Sequence, residues 1–356
     1  MNQPIQTLGI LGSGQLGRMT AIAAAQLGIR TIIFAPDARN SPASDVSEQT
    51  ITASYDDKEA LAHFAYRTDA VITEFENIPA ETMAFLAETV AVCPGAHALR
   101  VAQNRIAEKS LARELGINVP DFWAVTSADE LADALADLGG RGIVKTTTLG
   151  YDGKGQIAVD GTSNAHTVWD NLGTHEAILE SFVSFSHEVS FLVWRTKDGS
   201  TGCFPASENL HENGILARTV APAPSLNEAL YNDGMAAAIR IAEAVSLEGV
   251  LAMEAFVTNE GQLLFNEIAP RPHNSFHWTI EGCETSQFTQ LVRIACGMMP
   301  GSTAARAVFT MDNLLGEHMG QLPALLSKPG VSVHLYGKSE ARTNRKMGHA
   351  TWQSGH

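Results

Sequence analysis

A glycine-rich turn directly after a short apolar run is the feature that most constrains the fold of this chain. The segment GILGSGQLGRM places Gly12, Gly14 and Gly17 at the G-x-G-x-x-G spacing. An Ala-rich helix is predicted over 15–28, and the next apolar run predicts a strand over 30–35. A strand, a helix and a second strand in this order predict a parallel sheet, so the chain is expected to begin as an α/β domain.

The same glycine spacing is typical of loops that bind dinucleotides. Such a loop needs an acidic residue about 20 positions later for the ribose, and Asp37 has that offset. An NAD-dependent dehydrogenase is therefore one candidate, although Pro36 separates the strand from Asp37. Two other interpretations remain: a tight structural turn, or a helix N-terminus that binds a different phosphate or anion.

Composition and charge exclude several classes of partner. The 356 residues are 45% hydrophobic and 18% charged, with a formal net charge of −15. An acidic chain is repelled by nucleic-acid backbones and anionic membranes, so neither is an expected partner. The four cysteines form no C-x-x-C pair, and the N-terminus resembles no signal peptide. A cytoplasmic location is therefore expected.

The pattern of the chain changes near residue 102. After that point short apolar runs separated by turns predict strands in an α+β arrangement, interrupted by APAPS at 221–225. A last segment starts near residue 297 with GMMPGS and includes a further strand, VSVHLYG. The sequence therefore predicts domain boundaries near residues 102 and 296.

A second glycine-rich loop follows Lys145 at the end of the strand GIVKT. Gly150, Gly153 and Gly155 surround Lys154 before the chain returns to a strand, GQIAV. The segment fails the P-loop pattern because no Ser or Thr follows Lys154. It is predicted either to fold over a triphosphate as a lid or to form an ordinary solvated hairpin.

Two carboxylates are predicted to face each other across the hairpin LAMEAFVTNEGQLLFNEIAP. A two-residue turn at Glu260-Gly261 places Glu254 directly opposite Glu267. Like charges in that position are destabilising, and Mg²⁺ bound between them gives a reason for the pair. A turn one residue longer would offset the two side chains and remove the argument.

Five motifs in a fixed order resemble a known enzyme family. A lysine strand, a glycine-rich loop and a hairpin ending in NE are together similar to the ATP-grasp superfamily. The resemblance narrows to the N5-carboxyaminoimidazole ribonucleotide synthetases of purine biosynthesis on these motifs: GSGQLGRM at 12–19, TEFENI at 73–78, GYDGKGQ at 150–156, NEIAPRPHNS at 266–275 and RKMGH at 345–349. It extends from about residue 7 to residue 350.

The resemblance implies an α/β and α+β architecture in three domains. These are a Rossmann-like, pre-ATP-grasp domain for the substrate (1–102), an ATP-grasp domain that includes the lid (103–296), and a small C-terminal domain that contributes basic residues to the substrate site (297–356). The implied reaction is the ATP-dependent carboxylation of aminoimidazole ribonucleotide with bicarbonate, through carboxyphosphate, in a cytoplasmic homodimer that uses ATP and Mg²⁺.

The resemblance also implies site residues. Those implied to bind ATP are Arg105, Lys145, Tyr151, Asp152, Gly153, Lys154, Gly155, Gln156, Glu180, Ser181, Phe182, Val183, Glu188, His211, Asn266 and Glu267. Those implied to bind the nucleotide substrate are Gln15, Leu16, Glu74, Tyr151, Asn274, Lys338, Arg345 and Lys346. Glu254 and Glu267 are the implied Mg²⁺ ligands.

Three residues are the catalytic candidates: Lys145, Arg271 and His273. Lys145 and Arg271 have the charge needed to neutralise a transferring phosphoryl group and an anionic intermediate. His273 is expected either to shuttle a proton or to make a structural hydrogen bond. The basic segment 337–346 is expected either to bind a ribose 5′-phosphate or to be a solvated turn.

Two departures from the family pattern lie near the implied substrate site. Phe276 stands where a glycine is expected, and Thr343-Asn344 replaces a Pro-Gly pair before Arg345. The nearest alternative is a related ATP-grasp enzyme that uses formate to formylate glycinamide ribonucleotide. A biotin-dependent carboxylase needs a longer chain. A dehydrogenase and a nucleotide-binding module without turnover are the alternatives from other classes.

Overall fold

A computed structural model of the chain describes residues 6–148 and 155–355. Its strands are β1 (Thr7–Leu11), β2 (Arg30–Phe34), β3 (Gln49–Ile51), β4 (Ala70–Thr73), β5 (Ala91–Cys93), β6 (Phe122–Val125), β7 (Gly142–Thr146), β8 (Gln156–Val159), β9 (Ala177–Ser181), β10 (Phe185–Arg195), β11 (Thr201–Cys203), β12 (Ser207–Glu212), β13 (Ile215–Ala221), β14 (Gly249–Thr258), β15 (Leu263–Ala269), β16 (Phe309–Leu315), β17 (Val331–Leu335) and β18 (Lys346–Gln353).

The helices connect these strands and cover their faces. They are α1 (Gln15–Gln26), α2 (Lys58–Tyr66), α3 (Ala80–Ala87), α4 (Ala96–Ala102), α5 (Arg105–Glu114), α6 (Ala128–Leu138), α7 (Ala165–Leu172), α8 (Glu228–Ala244), α9 (Thr279–Gly282), α10 (Gln287–Ala295) and α11 (Leu322–Leu326). Among the residues described, no helix is long and apolar enough to cross a membrane.

The first sheet is parallel, as the sequence predicts. Its strand order is β3-β2-β1-β4-β5, and β1 pairs with both β2 and β4. Every residue of β1 is buried, because α1 packs on a sheet whose central strands are apolar on both faces. Helix α1 ends just before Gly28, which has a φ of +73° that glycine adopts without strain.

The second sheet contains the strands on either side of the glycine-rich loop after Lys145. It is antiparallel with the order β6-β9-β7-β8, and β7 pairs directly with β8. Helices α6 and α7 pack on each other, and apolar residues of both lie in the core of this layer. Strands β7 and β8 are therefore neighbours in one small sheet, as the sequence predicts for the two strands of a hairpin or lid.

The third sheet is the largest and contains nine strands. Its order is β15-β14-β10-β12-β13-β16-β18-β17, and β11 pairs with β10. The three strands after residue 297 thus extend the same sheet as the central strands, through the pairing of β13 with β16. A separate C-terminal domain beginning at residue 297 stays a prediction.

Candidate active site

Two cavities share the surface formed by the β14–β15 hairpin. The larger, about 450 Å³, is lined in part by Gln15 and Leu16 of the first glycine loop. The second, about 310 Å³, is lined in part by Lys145 and Gln156. Both volumes are in the range of small-molecule sites. The residues that line both cavities are Arg105, Glu254, Glu267, His273, Asn274 and Lys346.

Glu254 lies directly opposite Glu267 in the hairpin, but the loop and the strand register that produce this pairing differ from the predicted ones. The predicted two-residue turn at Glu260-Gly261 is wrong, since Thr258 N donates to Gln262 O at 2.8 Å around a three-residue loop. That loop alone would offset the carboxylates. A β-bulge inserts Asn266 into the second strand and restores the pairing of Glu254 with Glu267. The predicted opposition is confirmed.

A chain of buried polar side chains orients Glu254. Its Oε1 lies 3.4 Å from the Ser190 hydroxyl, which accepts a 2.7 Å hydrogen bond from the Asn209 amide. The carbonyl oxygen of that amide in turn accepts from the Thr219 hydroxyl at 3.0 Å. Burial, then the opposing Glu267 carboxylate, raise the pKa of Glu254 to about 7. The pair therefore disfavours a second negative charge unless a cation compensates it.

This donor set fits a hard divalent cation. Carboxylate oxygens are the ligands that Mg²⁺ prefers, and Asn266 adds an amide beside them at the bulge. Within residues 6–148 and 155–355, no group of three or more His, Cys, Asp or Glu side chains forms a complete metal cage. Mg²⁺ commonly takes one or two protein carboxylates and completes its shell with substrate phosphates and water, which suits a site of this kind.

The raised pKa of Glu254 predicts a pH dependence of stability in the metal-free protein. The folded state binds a proton at Glu254 up to about pH 7, whereas the unfolded chain releases it near 4.5. The stability contribution of this group is therefore present below pH 4.5 and is lost as the pH rises through 7. Glu254→Gln is expected to reduce the stability difference between pH 5 and pH 8 by about 1 to 3 kcal/mol.

Urea denaturation in EDTA at the two pH values measures this effect. Glu260→Gln, in the exposed loop of the same hairpin, is the matched control and should leave the difference unchanged. An equal difference in wild type and Glu254→Gln would show that Glu254 ionises in the folded protein as it does in the unfolded chain.

The segment after β15 holds two charged partners at the larger cavity. Arg271 Nε donates to the Glu76 carboxylate, and both side chains are largely buried. Burial raises the pKa of Glu76, but the neighbouring Arg271 guanidinium lowers this pKa by more. The Glu76 carboxylate therefore stays ionised. Arg271 also donates through Nη1 to the Pro272 carbonyl at 3.0 Å. These two contacts fix a guanidinium at the wall of the cavity.

His273 is held by its backbone and its ring. The Gln287 amide accepts from His273 N at 2.8 Å and donates to His273 O at 2.9 Å. The Ser275 hydroxyl lies 2.8 Å from His273 Nδ1, and Ser275 N donates to the same nitrogen at 3.4 Å. Burial, then Arg271, lower the pKa of His273 well below its ordinary value. The ring is therefore neutral, with its proton assigned to Nε2.

Asn274 has the buried polar atoms that a ligand would satisfy. Both Nδ2 and Oδ1 are buried, and among the described residues neither has a hydrogen-bond partner. The residue lines both cavities. Unpaired buried amide atoms cost about 1 to 3 kcal/mol each, so their retention at this position favours a polar ligand here.

Three acid–base pairs lie at or next to the smaller cavity. Lys145 Nζ donates to Glu180 Oε2 at 3.0 Å, and Arg105 Nη1 donates to Glu267 Oε2 at 3.3 Å. Glu188 Oε2 lies 2.7 Å from His211 Nδ1. Burial lowers the pKa of His211, but the hydrogen bond to Glu188 raises this pKa by more, so it lies above its ordinary value. The predicted ATP residues Arg105, Lys145, Gln156, Glu188, His211, Asn266 and Glu267 thus line one cavity.

The remaining predicted ATP residues differ in what the structure describes. Tyr151, Asp152, Gly153 and Lys154 lie outside the described residues. Gly155 adopts a φ of +70°. In the segment after β9, Ser181 N donates to Asp121 O and Phe182 N donates to Arg141 O, while Val183 is half-buried. A role for this segment at the adenine stays a prediction.

The first glycine loop is filled by a carboxylate of the protein itself. Gly14 N donates to one oxygen of Glu74, and Gly17 N donates to the other at 2.6 Å. A Cβ at Gly12 would lie 2.2 Å from Glu74 Cγ, so the glycine spacing serves the approach of this side chain. The Ser13 hydroxyl donates a 2.8 Å hydrogen bond to the Asp37 carboxylate. Both groups that would recognise a dinucleotide are therefore engaged by the protein.

Comparison with known proteins agrees with this geometry. Family models match a ribonucleotide synthetase preATP-grasp domain over 5–103, an ATP-grasp domain over 110–288 and a phosphoribosylaminoimidazole carboxylase C-terminal domain over 310–354. The N5-carboxyaminoimidazole ribonucleotide synthase of Brucella melitensis is 43% identical over 352 residues, which are 98% of this chain and 96% of that protein. The chain belongs to the N5-carboxyaminoimidazole ribonucleotide synthase family.

Solved structures of this family share the fold. An N5-carboxyaminoimidazole ribonucleotide synthetase in complex with ADP superimposes with a TM-score of 0.94 at 39% identity and covers 100% of this chain and 95% of its own. The Aspergillus clavatus N5-carboxyaminoimidazole synthase in complex with ADP and 5-aminoimidazole ribonucleotide gives 0.91 at 30% identity, over 98% and 94%. The predicted ATP-grasp fold with a pre-ATP-grasp domain is confirmed.

The two departures from the family pattern leave the cavities intact. Asn344 adopts a φ of +64°, a left-handed conformation that asparagine tolerates better than most residues, so it replaces glycine without removing the turn. Its N–H donates to Glu317 at 3.0 Å. Phe276 is fully buried in the apolar core and lines neither cavity.

The basic segment predicted to bind phosphate lies beside this family site. Lys346 lines both cavities. Lys338 Nζ donates to Lys346 O at 2.7 Å, and Arg345 Nη1 donates to Glu340 O at 3.0 Å. Neither Lys338 nor Arg345 is among the residues that line the two cavities. Their contact with substrate stays a prediction.

The sequence patterns did not identify the polar residues whose hydrogen bonds hold Glu254 and His273 in place. Gln287, Ser190 and Asn209 are ordinary polar residues in apolar surroundings and belong to no motif quoted above. Only the alternation of polar and apolar positions in β10 and β12 gave a signal, and it did not distinguish these side chains from solvated ones.

Proposed function

We propose that this chain catalyses the ATP-dependent carboxylation of 5-aminoimidazole ribonucleotide with bicarbonate. The products are N5-carboxyaminoimidazole ribonucleotide, ADP and phosphate, in purine biosynthesis. The observation that carries the proposal is the meeting of two cavities at Glu254 and Glu267, one lined by Lys145 and the other by the glycine loop. The Aspergillus clavatus relative, which was solved with ADP and 5-aminoimidazole ribonucleotide together, supports it.

Bicarbonate is a poor electrophile, so the reaction needs two steps. A bicarbonate oxygen attacks the γ-phosphorus of ATP, and ADP leaves with the electron pair of the broken P–O bond. The exocyclic amine of the substrate then attacks the carboxyl carbon of carboxyphosphate. Phosphate leaves with that bonding pair, and the amine loses a proton. Phosphoryl transfer of this kind depends on positioning and charge neutralisation.

The residues at the junction supply that neutralisation. Lys145 and Arg105 line the ATP cavity, and their positive charges are proposed to neutralise the phosphates. Arg271, fixed by Glu76, lines only the larger cavity and is proposed to bind the carboxyphosphate. His273 is neutral with its proton on Nε2, so it acts as a hydrogen-bond donor to the anionic intermediate. Enclosure of the site during turnover would limit loss of carboxyphosphate to water.

Mg²⁺ belongs to the proposal as the cation held by Glu254 and Glu267. It supplies charge neutralisation for the β- and γ-phosphates when bound. A homodimer and a cytoplasmic location also belong to the proposal and rest on resemblance to the family. The nucleotide substrate is assigned to Gln15, Leu16, Asn274 and Lys346, of which the last two also line the ATP cavity. Lys338 of the adjoining basic segment is proposed for its phosphate.

The deciding experiment measures ADP release with Mg-ATP and bicarbonate, with and without 5-aminoimidazole ribonucleotide. Release that depends on the aminoimidazole supports the proposal. A parallel reaction contains formate and glycinamide ribonucleotide, and release in that reaction alone would assign the chain to the formylating relative instead. The absence of release in both would remove the proposal.

Lys338→Ala is expected to raise the KM for 5-aminoimidazole ribonucleotide about tenfold and to leave the KM for ATP within about twofold. A charge-assisted hydrogen bond to phosphate contributes about 1.5 to 3 kcal/mol, which corresponds to about tenfold or more. Steady-state kinetics with each substrate varied in turn measures the split. Lys328→Ala, at an exposed position of the same C-terminal segment, is the control. An unchanged KM for the aminoimidazole would refute the phosphate role.

A further inference from the structure

One face of helix α5 holds three consecutive residues of β15. Arg105 Nη1 donates to the Glu267 carboxylate at 3.3 Å. Lys109 Nζ donates to the Asn266 carbonyl at 2.8 Å, and Ile268 N donates to the Glu108 carboxylate at 3.1 Å. Positions i, i+3 and i+4 of a helix lie on one face, so these three side chains point in the same direction.

The position of β15 at the edge of its sheet explains why these contacts are needed. The outward-facing backbone groups of an edge strand have no strand partner, and the bulge at Asn266 interrupts the regular pairing further. The Asn266 carbonyl and the Ile268 N–H receive their partners from Lys109 and Glu108. Buried backbone groups left unpaired are costly, and the two side chains remove that cost at the position where the strand departs from regular pairing.

Lys109 also connects β15 to the lysine of the ATP cavity. Its Nζ lies 3.4 Å from Glu180 Oε2, the same oxygen that accepts from Lys145 at 3.0 Å. Lys109 is 1% exposed and lines neither cavity, whereas Glu108, which is 3% exposed, is among the residues that line the larger one. Lys109 is therefore placed to act on a ligand only through the groups that it holds.

We propose that Lys109 and Glu108 are positioning residues for the metal–nucleotide complex, because they fix the bulge that presents Asn266 and Glu267 to the ATP cavity. Lys109 additionally sets the place of Glu180 and so of Lys145. This inference rests on the proposed function for the identity of the nucleotide. It assigns a task to two buried polar side chains that the catalytic steps do not use.

The test compares Lys109→Met with Lys109→Arg by isothermal titration with ADP, with and without Mg²⁺. Lys109→Met removes the donor and is expected to weaken Mg-ADP binding about tenfold or more, as loss of an outer-shell partner does at metal sites, and to weaken ADP alone by less. Lys109→Arg keeps a charged donor and is expected to recover most of the affinity. The KM for 5-aminoimidazole ribonucleotide should stay within about twofold in both variants.

The Glu108 position gives a second pair that keeps the inference testable if Lys109→Met fails to fold. Glu108→Gln retains an acceptor for Ile268 N and is expected to bind Mg-ADP like wild type, whereas Glu108→Met is expected to lose about tenfold. Lys197→Met and Glu114→Gln change exposed residues of the same types and are the controls.

Two results would overturn the inference. One is wild-type Mg-ADP affinity in Lys109→Met or, where that variant is unfolded, in Glu108→Met. The other is an equal loss for Mg-ADP, ADP alone and the aminoimidazole, which would indicate general loss of structure. Titration with Mg-ADP needs no acceptor substrate. Failure of the proposed carboxylation, with the Lys109 effect present, would therefore leave the inference standing on its own.

Discussion

Glu267→Gln is expected to lower aminoimidazole-dependent ADP release by at least about 10²-fold while leaving the fold intact. The carboxylate lies at the junction of the two cavities, opposite Glu254 and 3.3 Å from Arg105. The amide of Gln has the size and shape of the carboxylate, but it removes one of the two negative charges that hold the cation. Loss of one preorganised electrostatic group at a reacting centre costs about 10² to 10³-fold in kcat.

Stability provides the control for this variant. Glu267 is 42% exposed at its side chain and faces a like charge, and the amide oxygen of Gln keeps an acceptor for Arg105 Nη1, so the melting temperature is expected to change little. Circular dichroism and thermal melts check this, and Glu260→Gln serves as the matched change in the same hairpin. Normal turnover in folded Glu267→Gln would remove the assignment of Glu254 and Glu267 as cation ligands.

The hairpin shows how far sequence reasoning reached at this site. The pairing of Glu254 with Glu267 was predicted from a two-residue turn, and the structure has a three-residue loop and a bulge that cancel in register. The sequence does not distinguish a two-residue turn from a three-residue loop followed by a bulge, because FNEIA has no glycine or proline at the bulge. The like-charged pair itself was the informative observation, since it needs a compensating cation by either route.

Partners that are distant in sequence account for what could not be predicted. Glu108 and Lys109 lie in the helix RIAEKSLARE, but they contact residues about 160 positions later. In sequence terms a neighbouring Glu and Lys on a helix indicate a solvated face. Only the fold shows them buried against an edge strand, where they pair with two of its outward-facing backbone groups.

The glycine loop illustrates the same limit. Its spacing predicted a strand, a tight turn and a helix, all of which the structure confirms. The spacing alone did not distinguish a loop that binds a dinucleotide from one that binds a protein carboxylate, because both need backbone N–H groups and no Cβ. Glu74, 60 residues after Gly14, decides between them.

Glu74→Gln is expected to raise the KM for 5-aminoimidazole ribonucleotide about tenfold and to lower the free energy of unfolding by about 1 to 3 kcal/mol. Gly14 N and Gly17 N donate to different oxygens of the carboxylate. An amide offers one acceptor and one donor, so one of the two N–H groups would face another N–H. A buried donor left unpaired costs about this much, and 1.4 kcal/mol corresponds to tenfold in binding.

The kinetic effect should be confined to one substrate. Gln15 and Leu16 lie between the two glycines and line only the larger cavity, so a displaced loop changes the aminoimidazole site and not the ATP site. The KM for ATP is expected to stay within about twofold. Glu88→Gln, at an exposed position of the same domain, is the control. Equal loss of stability with an unchanged KM for the aminoimidazole would mean that the loop does not contact that substrate.

The same variant decides the charge of Glu74 in the folded protein. Burial raises the pKa of Glu74 above its ordinary value, and the N–H groups of Gly17 and Gly14 offset only part of this rise. Gln is the isostere of the protonated acid. If Glu74 were neutral at pH 7, the substitution would be nearly silent in both stability and KM. The predicted losses therefore require an ionised carboxylate, held in a buried position by the two donors that a dinucleotide phosphate would otherwise use.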